Sequence, residues 1–96
     1  MVVIENPNEY RFVKFEKSKT KNKKYDAILQ NKNTGRLRKV SFGDKRYKQY
    51  KDQTGLGLYS NLNHLDKSRR ERYRTRHQGE EQNKYSSGWF SFYYLW

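Results

Sequence analysis

Residues 25–42, YDAILQNKNTGRLRKVSF, decide the fold of this 96-residue chain. Tyr25–Gln30 is a short apolar run typical of a strand, and Arg36–Phe42 alternates polar and apolar residues around Val40. Between them, Asn31–Gly35 has the composition of a turn, with a glycine where a positive φ is needed. Together these features predict an antiparallel β-hairpin.

A third strand is predicted on the N-terminal side of the hairpin, where Tyr10–Glu16 combines aromatic and β-branched residues. Lys17–Lys24, KSKTKNKK, contains no apolar residue. This segment predicts a mobile, solvated loop 17–24 whose lysines add only diffuse positive charge. The result is a three-stranded antiparallel meander over residues 1–43. Its open face is expected to carry Arg11, Lys14, Arg36, Arg38 and Lys39.

The clearest helical pattern begins at Asp66, a favoured N-cap residue. The stretch Lys67–His77 contains neither Gly nor Pro, and Gly79 is well placed to stop a helix. We therefore predict a helix near residues 66–78.

The C-terminal stretch Ser86–Trp96, SSGWFSFYYLW, fits both a helical stripe and the alternation of a strand. The serines at its start favour a short helix. The predicted fold class is α+β, with a single domain over 1–96. A basic β-meander (1–43) is followed by an Arg-rich helix and an aromatic C-terminal segment (44–96).

Composition limits the classes of protein that the chain can belong to. It carries 22 Lys and Arg against 10 Asp and Glu, a formal net charge of +12, which favours an anionic partner such as nucleic acid. It has no cysteine, which excludes disulfides and thiolate metal sites. Met1–Ile4 is followed by a charged residue, and no apolar run reaches the ~20 residues of a membrane span. We expect a protein that is neither secreted nor membrane-spanning.

Five arginines fall within eight positions of the predicted helix. Such density is unfavourable unless an anion lies nearby, and guanidinium groups bind phosphate in a bidentate manner. On a helix, Arg69, Arg72 and Arg76 share one face. The alternative is solvated surface charge that nearby carboxylates partly neutralise. The predicted nucleic-acid-binding residues are Lys67, Arg69, Arg70, Arg72, Arg74, Arg76 and His77 in the helix, with Arg36 and Arg38 in the meander.

Aromatic rings must supply most of the core, because the chain has 9 Tyr, 5 Phe and 2 Trp but few aliphatic residues. Trp89, Phe92 and Trp96 share one side of the predicted C-terminal helix. We expect them to be core residues that hold the Arg-rich helix against the sheet. Other rings alternate with basic residues, which is compatible with base stacking or with burial. They are Tyr47, Tyr50, Tyr59, Tyr73 and Tyr85.

His64, Asp66 and His77 are a candidate metal site, because two imidazoles and a carboxylate can hold a divalent ion and support a small metal-dependent nuclease. Their spacing matches no metal-binding motif. The simpler interpretation is that His64 and Asp66 form a hydrogen-bonded cap before the helix. We therefore expect no cofactor, no metal, no small-molecule substrate and no enzymatic activity.

The second half of the chain, about residues 42–96, carries the pattern FG…Y.D…H.D..RR.RY..RH…N….G..S…LW. The matching residues are Phe42, Gly43, Tyr50, Asp52, Tyr59, His64, Asp66, Arg69, Arg70, Tyr73, Arg76, His77, Asn83, Gly88, Ser91, Leu95 and Trp96. This pattern resembles that of a family of short, basic, uncharacterised proteins of large double-stranded DNA viruses and some phages. The resemblance implies a virion-associated protein of α+β type and supplies no catalytic or cofactor-binding residue.

The function favoured by these features is non-enzymatic binding of an anionic partner, first of all the phosphate backbone of a nucleic acid. Following the resemblance, the expected location is the virion or the interior of an infected host cell. The alternative is a minor structural component of the virion that cements acidic capsid or scaffold proteins.

Overall fold

The structure, a computed structural model, describes residues 4–96. Three antiparallel strands come first and pair in the order β1-β2-β3, and two helices follow, which confirms the predicted α+β class. The strands are β1 (Tyr10–Lys17), β2 (Lys23–Asn31) and β3 (Leu37–Asp44), and the helices are α1 (Lys67–Arg76) and α2 (Ser87–Tyr94). Single 3₁₀ turns lie at Pro7–Glu9, Ser60–Leu62 and Glu80–Gln82.

A β-bulge at Val13 decides which side chains of β1 face the core. The pairing with β2 shifts between Phe12 and Lys14, so that Phe12 lies opposite Leu29 and Phe15 opposite Ala27. Paired residues lie on the same side of an antiparallel sheet. The extra residue therefore places both phenylalanines on the core side, although their odd spacing puts them on opposite sides of a regular strand.

The outer face of the sheet differs from the predicted basic surface. Lys14 and Lys39 lie there, but both pair with Glu16, at Nζ–Oε distances of 3.9 Å and 3.3 Å. Arg38 lies opposite Leu29, which is a core residue, and Arg36 precedes β3. The prediction that Arg36 and Arg38 share this face is wrong, because the register turns Arg38 to the other side.

The prediction of a mobile loop over residues 17–24 is also wrong, because both ends of this range belong to strands. Lys17 ends β1, and β2 already begins at Lys23. Lys24 is only 2% exposed; its Nζ donates hydrogen bonds to the carbonyl oxygen of Tyr47 at 2.9 Å and to the side chain of Gln49. The connection is thus a short turn, and Lys24, which belongs to β2, is a buried structural residue that composition alone marks as solvated.

Both predicted helices are present, with the predicted caps. The Asp66 carboxylate accepts hydrogen bonds from the backbone N–H groups of Ser68 and Arg69 at the start of α1. The Ser86 hydroxyl accepts from the backbone N–H of Trp89 at the start of α2. These side chains satisfy backbone donors that a helix start leaves unpaired.

Helix α2 packs between the sheet and α1. Phe90 and Leu95 are 1% exposed and belong to the core cluster against the sheet, whereas Phe92, 8% exposed, contacts the Arg74 guanidinium of α1. A helix with apolar residues on all sides is typical of such a doubly covered position. The predicted core set was partly wrong: Phe92 is buried, but Trp89 and Trp96 are half-buried residues at the margin of the core.

The segment between β3 and α1 is held by side-chain hydrogen bonds rather than by regular structure. Gln49 is fully buried, and its Nε2 donates to the carbonyl oxygen of Tyr59 and to Oδ1 of Asn63, both at 2.8 Å.

Asp52 accepts a hydrogen bond from the Tyr25 hydroxyl. Burial raises the pKa of Asp52, but this hydrogen bond and those from Thr54 and the Tyr59 backbone outweigh it, so the net pKa is lowered. The carboxylate therefore stays ionised inside the fold.

Candidate nucleic-acid interface

A groove of about 1340 Å³ runs between α1 and the end of the sheet. One wall is α1, and the facing wall is the start of β2, the end of β3 and the segment that follows it. The residues on the α1 wall are Ser68, Arg69, Glu71, Arg72, Thr75 and Arg76. Those on the facing wall are Lys23, Lys24, Gly43, Asp44, Tyr47 and Lys48.

The α1 wall presents three exposed arginines to the groove. Arg69, Arg72 and Arg76 line it together, as their predicted common face requires. Arg69 Nε lies 4.0 Å from the Asp66 carboxylate, whereas Arg72 and Arg76 form no ion pair within residues 4–96. This face therefore offers guanidinium groups that no carboxylate of the described chain neutralises.

The other two arginines of the predicted cluster are half-buried and have a different role. Arg70 Nε and Arg74 Nη2 both donate to the carbonyl oxygen of Trp96, at 3.0 Å and 3.1 Å. Their guanidinium carbons lie over rings, 4.9 Å from the Tyr50 centroid for Arg70 and 4.7 Å from the Phe92 centroid for Arg74. They hold α1 to the aromatic segment and are not available to a ligand in the groove.

Stacked rings form the floor of the groove. Tyr73 stacks on His77 at a centroid distance of 4.1 Å and on Trp96 at 4.2 Å, with Trp96 nearly parallel to it. His64 lies 5.2 Å from Trp96, and all four rings line the groove. Burial, and to a smaller extent the negative charge of Glu80, raises the pKa of Tyr73 well above its usual range. These contacting rings form the aromatic part of the groove lining.

Lys24 lies on the wall that faces α1. Burial lowers its pKa to about 8, against the opposing attraction of Asp44 and Asp52. The two hydrogen bonds to Tyr47 and Gln49 fix its amine in place. The groove lining thus includes a buried amine, that of Lys24, which is fixed by hydrogen bonds and loses its proton at mildly alkaline pH.

The Lys24 pKa predicts a rise in stability between pH 8 and pH 10. In this window the amine keeps its proton in the unfolded chain, where its pKa is about 10.5, and loses it in the folded one. The unfolded state then binds more protons, so stability increases with pH by at most about 1.4 kcal/mol per pH unit. Above pH 10 the effect reverses, because burial raises the pKa of Tyr25 to about 12 and its proton is lost first from the unfolded chain.

Urea unfolding of wild type and of Lys24→Met at several pH values from 7.5 to 9.5 measures this dependence. We expect the midpoint to rise with pH in the wild type and to stay flat in the variant. Lys23→Met removes the same charge from the neighbouring position and should keep the rise. An equal rise in Lys24→Met would assign the pH dependence to other groups.

The histidines are engaged within the fold. His64 Nδ1 accepts a hydrogen bond from the backbone N–H of Asp66 at 2.9 Å, as the capping interpretation predicted, and burial lowers its pKa. His77 Nδ1 lies 2.9 Å from the Glu80 carboxylate. In the described range 4–96, no group of three or more His, Cys, Asp or Glu side chains could hold a metal ion.

Arg70 and Arg74 do not line the groove, and three further predicted site residues also lie outside it. Lys67 is exposed at the first position of α1 but does not line it. Arg38 is five positions before Gly43 on β3, about 17 Å along the strand, and Arg36 is further still. Sequence reasoning does not identify Lys23 and Lys48 on the facing wall, and it gives Tyr47 only as one of several rings compatible with base stacking or with burial. Their only signal in the sequence is the general alternation of Lys and Tyr, which does not show where the chain places them.

Comparison with known proteins gives one similarity. Residues 13–53 match the model of a family described as "Family of unknown function (DUF5754)". The matched segment is less than half of the chain; it runs from the β1 bulge through the sheet into the following segment and includes the facing wall of the groove but not α1. Searches of curated proteins and of solved structures found no match. Over the residues described, no helix is long and apolar enough to cross a membrane.

Proposed function

We propose that this protein binds nucleic acid through its phosphate backbone, without catalysis, in the groove between α1 and the sheet. The observation that carries the proposal is the common exposure of Arg69, Arg72 and Arg76 on one wall of that groove. Two of the three have no carboxylate partner among residues 4–96, and guanidinium groups without an internal partner are the usual ligands of phosphate.

The spacing of these arginines supports a linear anionic ligand. From Arg69 to Arg76 the helix rises about 10 Å, at 1.5 Å per residue. One strand of a duplex advances about 3.4 Å per nucleotide along the duplex axis, so the row is as long as about three nucleotide steps. Like charges this close along a helix repel one another, and an anionic strand would relieve that repulsion.

The facing wall supports the same ligand. Lys23, Lys24 and Lys48 lie on the wall across the groove from the arginines. The carboxylates among the lining residues are Asp44 and Glu71, and Asp44 is already paired with Arg46 at 2.7 Å. Cations on both sides of a groove attract a polyanion along its length.

Replacing Arg72 and Arg76 together with Ala tests the proposal. We expect weaker binding to duplex and single-stranded DNA alike, with the slope of log K against log salt reduced by about 2. Fluorescence anisotropy over a series of salt concentrations measures both quantities. Neither side chain is buried, so the melting temperature should stay near that of the wild type.

Arg36→Ala with Arg38→Ala is the matched control, since it removes the same charge outside the groove. We expect it to change the slope less than the groove variant does. Equal effects would indicate diffuse attraction by net charge, and unchanged binding in the groove variant would refute the assigned site.

An acidic protein partner is the alternative that the same experiment separates. Binding of polyglutamate but not of DNA, with the same loss in the groove variant, would favour a structural component that cements acidic virion proteins. The viral setting, and with it the virion or infected cell as the location, rests on the pattern over residues 42–96 and stays a prediction.

A further inference from the structure

We propose that the groove selects an unpaired nucleotide strand over a duplex, with a base stacked on Tyr47 while the phosphates follow α1. This inference rests on the nucleic-acid binding proposed above and adds the class of ligand. It is carried by the position of one exposed aromatic ring opposite a row of exposed arginines.

Among the aromatic side chains of residues 4–96 that line the groove, Tyr47 is the exposed one. It is 65% exposed, and the Arg46 guanidinium carbon lies 5.8 Å from its centroid. Tyr73, by contrast, already stacks on His77 and Trp96. An exposed ring flanked by cations is the usual element on which single-stranded nucleic acids stack their bases.

Hydrogen bonds hold the backbone of Tyr47 in place, which limits the positions that its ring can take. The Tyr47 N–H donates to the carbonyl oxygen of Asp44 at 3.2 Å, and its own carbonyl accepts from Lys24 Nζ at 2.9 Å. Arg46 is held to the Asp44 carboxylate by two hydrogen bonds, at 3.0 Å and 2.7 Å. Such a support lowers the entropy lost when a ligand orders the site.

The two walls together distinguish the two forms of nucleic acid. A duplex exposes phosphates on its surface but keeps its bases stacked inside, so it can use only the cationic residues. An unpaired strand can place phosphates against Arg69, Arg72 and Arg76 and turn a base towards Tyr47. The second arrangement uses both walls, which predicts tighter binding of the single strand at the same number of phosphates.

Anisotropy titrations with three probes test the inference: a short oligothymidylate, the same strand with abasic sites throughout, and a duplex of equal length. We expect the oligothymidylate to bind most tightly to the wild type. Tyr47→Leu, which leaves the charge unchanged, should weaken that binding about 5- to 100-fold and leave the abasic strand unaffected. Tyr47→Phe keeps the ring and should bind nearly as the wild type does.

The outcomes separate this inference from the function on which it rests. Equal affinity for all three probes, with no effect of Tyr47→Leu, would overturn base stacking and leave phosphate binding by α1 intact. Absence of salt-dependent binding to any probe would overturn both. A loss in Tyr47→Leu that Tyr47→Phe shares would assign the effect to the hydroxyl and also refute stacking.

Discussion

Phe90→Ala is expected to destabilise the protein by about 3–5 kcal/mol, a large part of the ~5–15 kcal/mol that stabilises a whole domain. Phe90 is 1% exposed and lies at the centre of the aromatic core. Its ring centroid is 5.4 Å from that of Phe42, 5.8 Å from Phe15 and 5.9 Å from Tyr85. Truncation leaves a cavity that rigid rings fill poorly. We expect a variant that is largely unfolded or has lost its cooperative melting transition.

Tyr93→Ala is the matched control, because it removes a ring from the same helix at a position that is 46% exposed. It should lower the free energy of unfolding far less than Phe90→Ala does, and the variant should keep a cooperative melting curve by circular dichroism. Similar losses in both variants would show that α2 depends on its aromatic content in general and not on the packing of Phe90.

Gly43→Ala should produce the second large effect, a loss of about 2–5 kcal/mol. Gly43 has φ = +75°, a conformation that disfavours any residue with a Cβ. A Cβ there would also lie 2.8 Å from Leu95 Cδ1 and 3.2 Å from Lys24 Cδ, both in side chains that are almost fully buried. The end of β3, where the sheet meets α2, has no room for a methyl group.

Gly55→Ala separates the two causes. Gly55 has a similar φ of +86°, but nothing lies within 4 Å of an added Cβ. It should therefore show only the backbone cost, about 1 kcal/mol. Urea midpoints of the two variants give the difference, and equal values would mean that Leu95 and Lys24 move aside without cost.

Local patterns predicted the elements of the fold well, because caps and turns act over a few residues. The Asp66 and Ser86 caps, the hairpin turn and both helices follow from neighbouring residue types. The side chains of β1 that face the core could not be predicted in this way, because the bulge depends on the pairing of β1 with β2 and not on the sequence of β1 alone. The burial of Lys24 was missed for a related reason: its acceptors, Tyr47 and Gln49, lie more than twenty positions away.

The candidate site was predicted in part. Helical spacing placed Arg69, Arg72 and Arg76 on one face, and they do line one wall of the groove. The same spacing could not show that Arg70 and Arg74 bind the Trp96 carbonyl, because that contact joins residues far apart in the chain. For the same reason, the sequence pattern could not show that the residues of the facing wall lie opposite α1, because only the folded sheet brings them there.

Helix α1 contains no buried residue, and its attachment depends on Arg70, Tyr73 and Arg74 on one side. Arg69, Arg72 and Arg76, which line the groove, make none of these attaching hydrogen bonds and ring contacts. Selection can therefore alter the charge, length or hydrogen-bonding character of the groove side without weakening the fold. Within one short helix, the fold and the ligand preference can evolve almost independently.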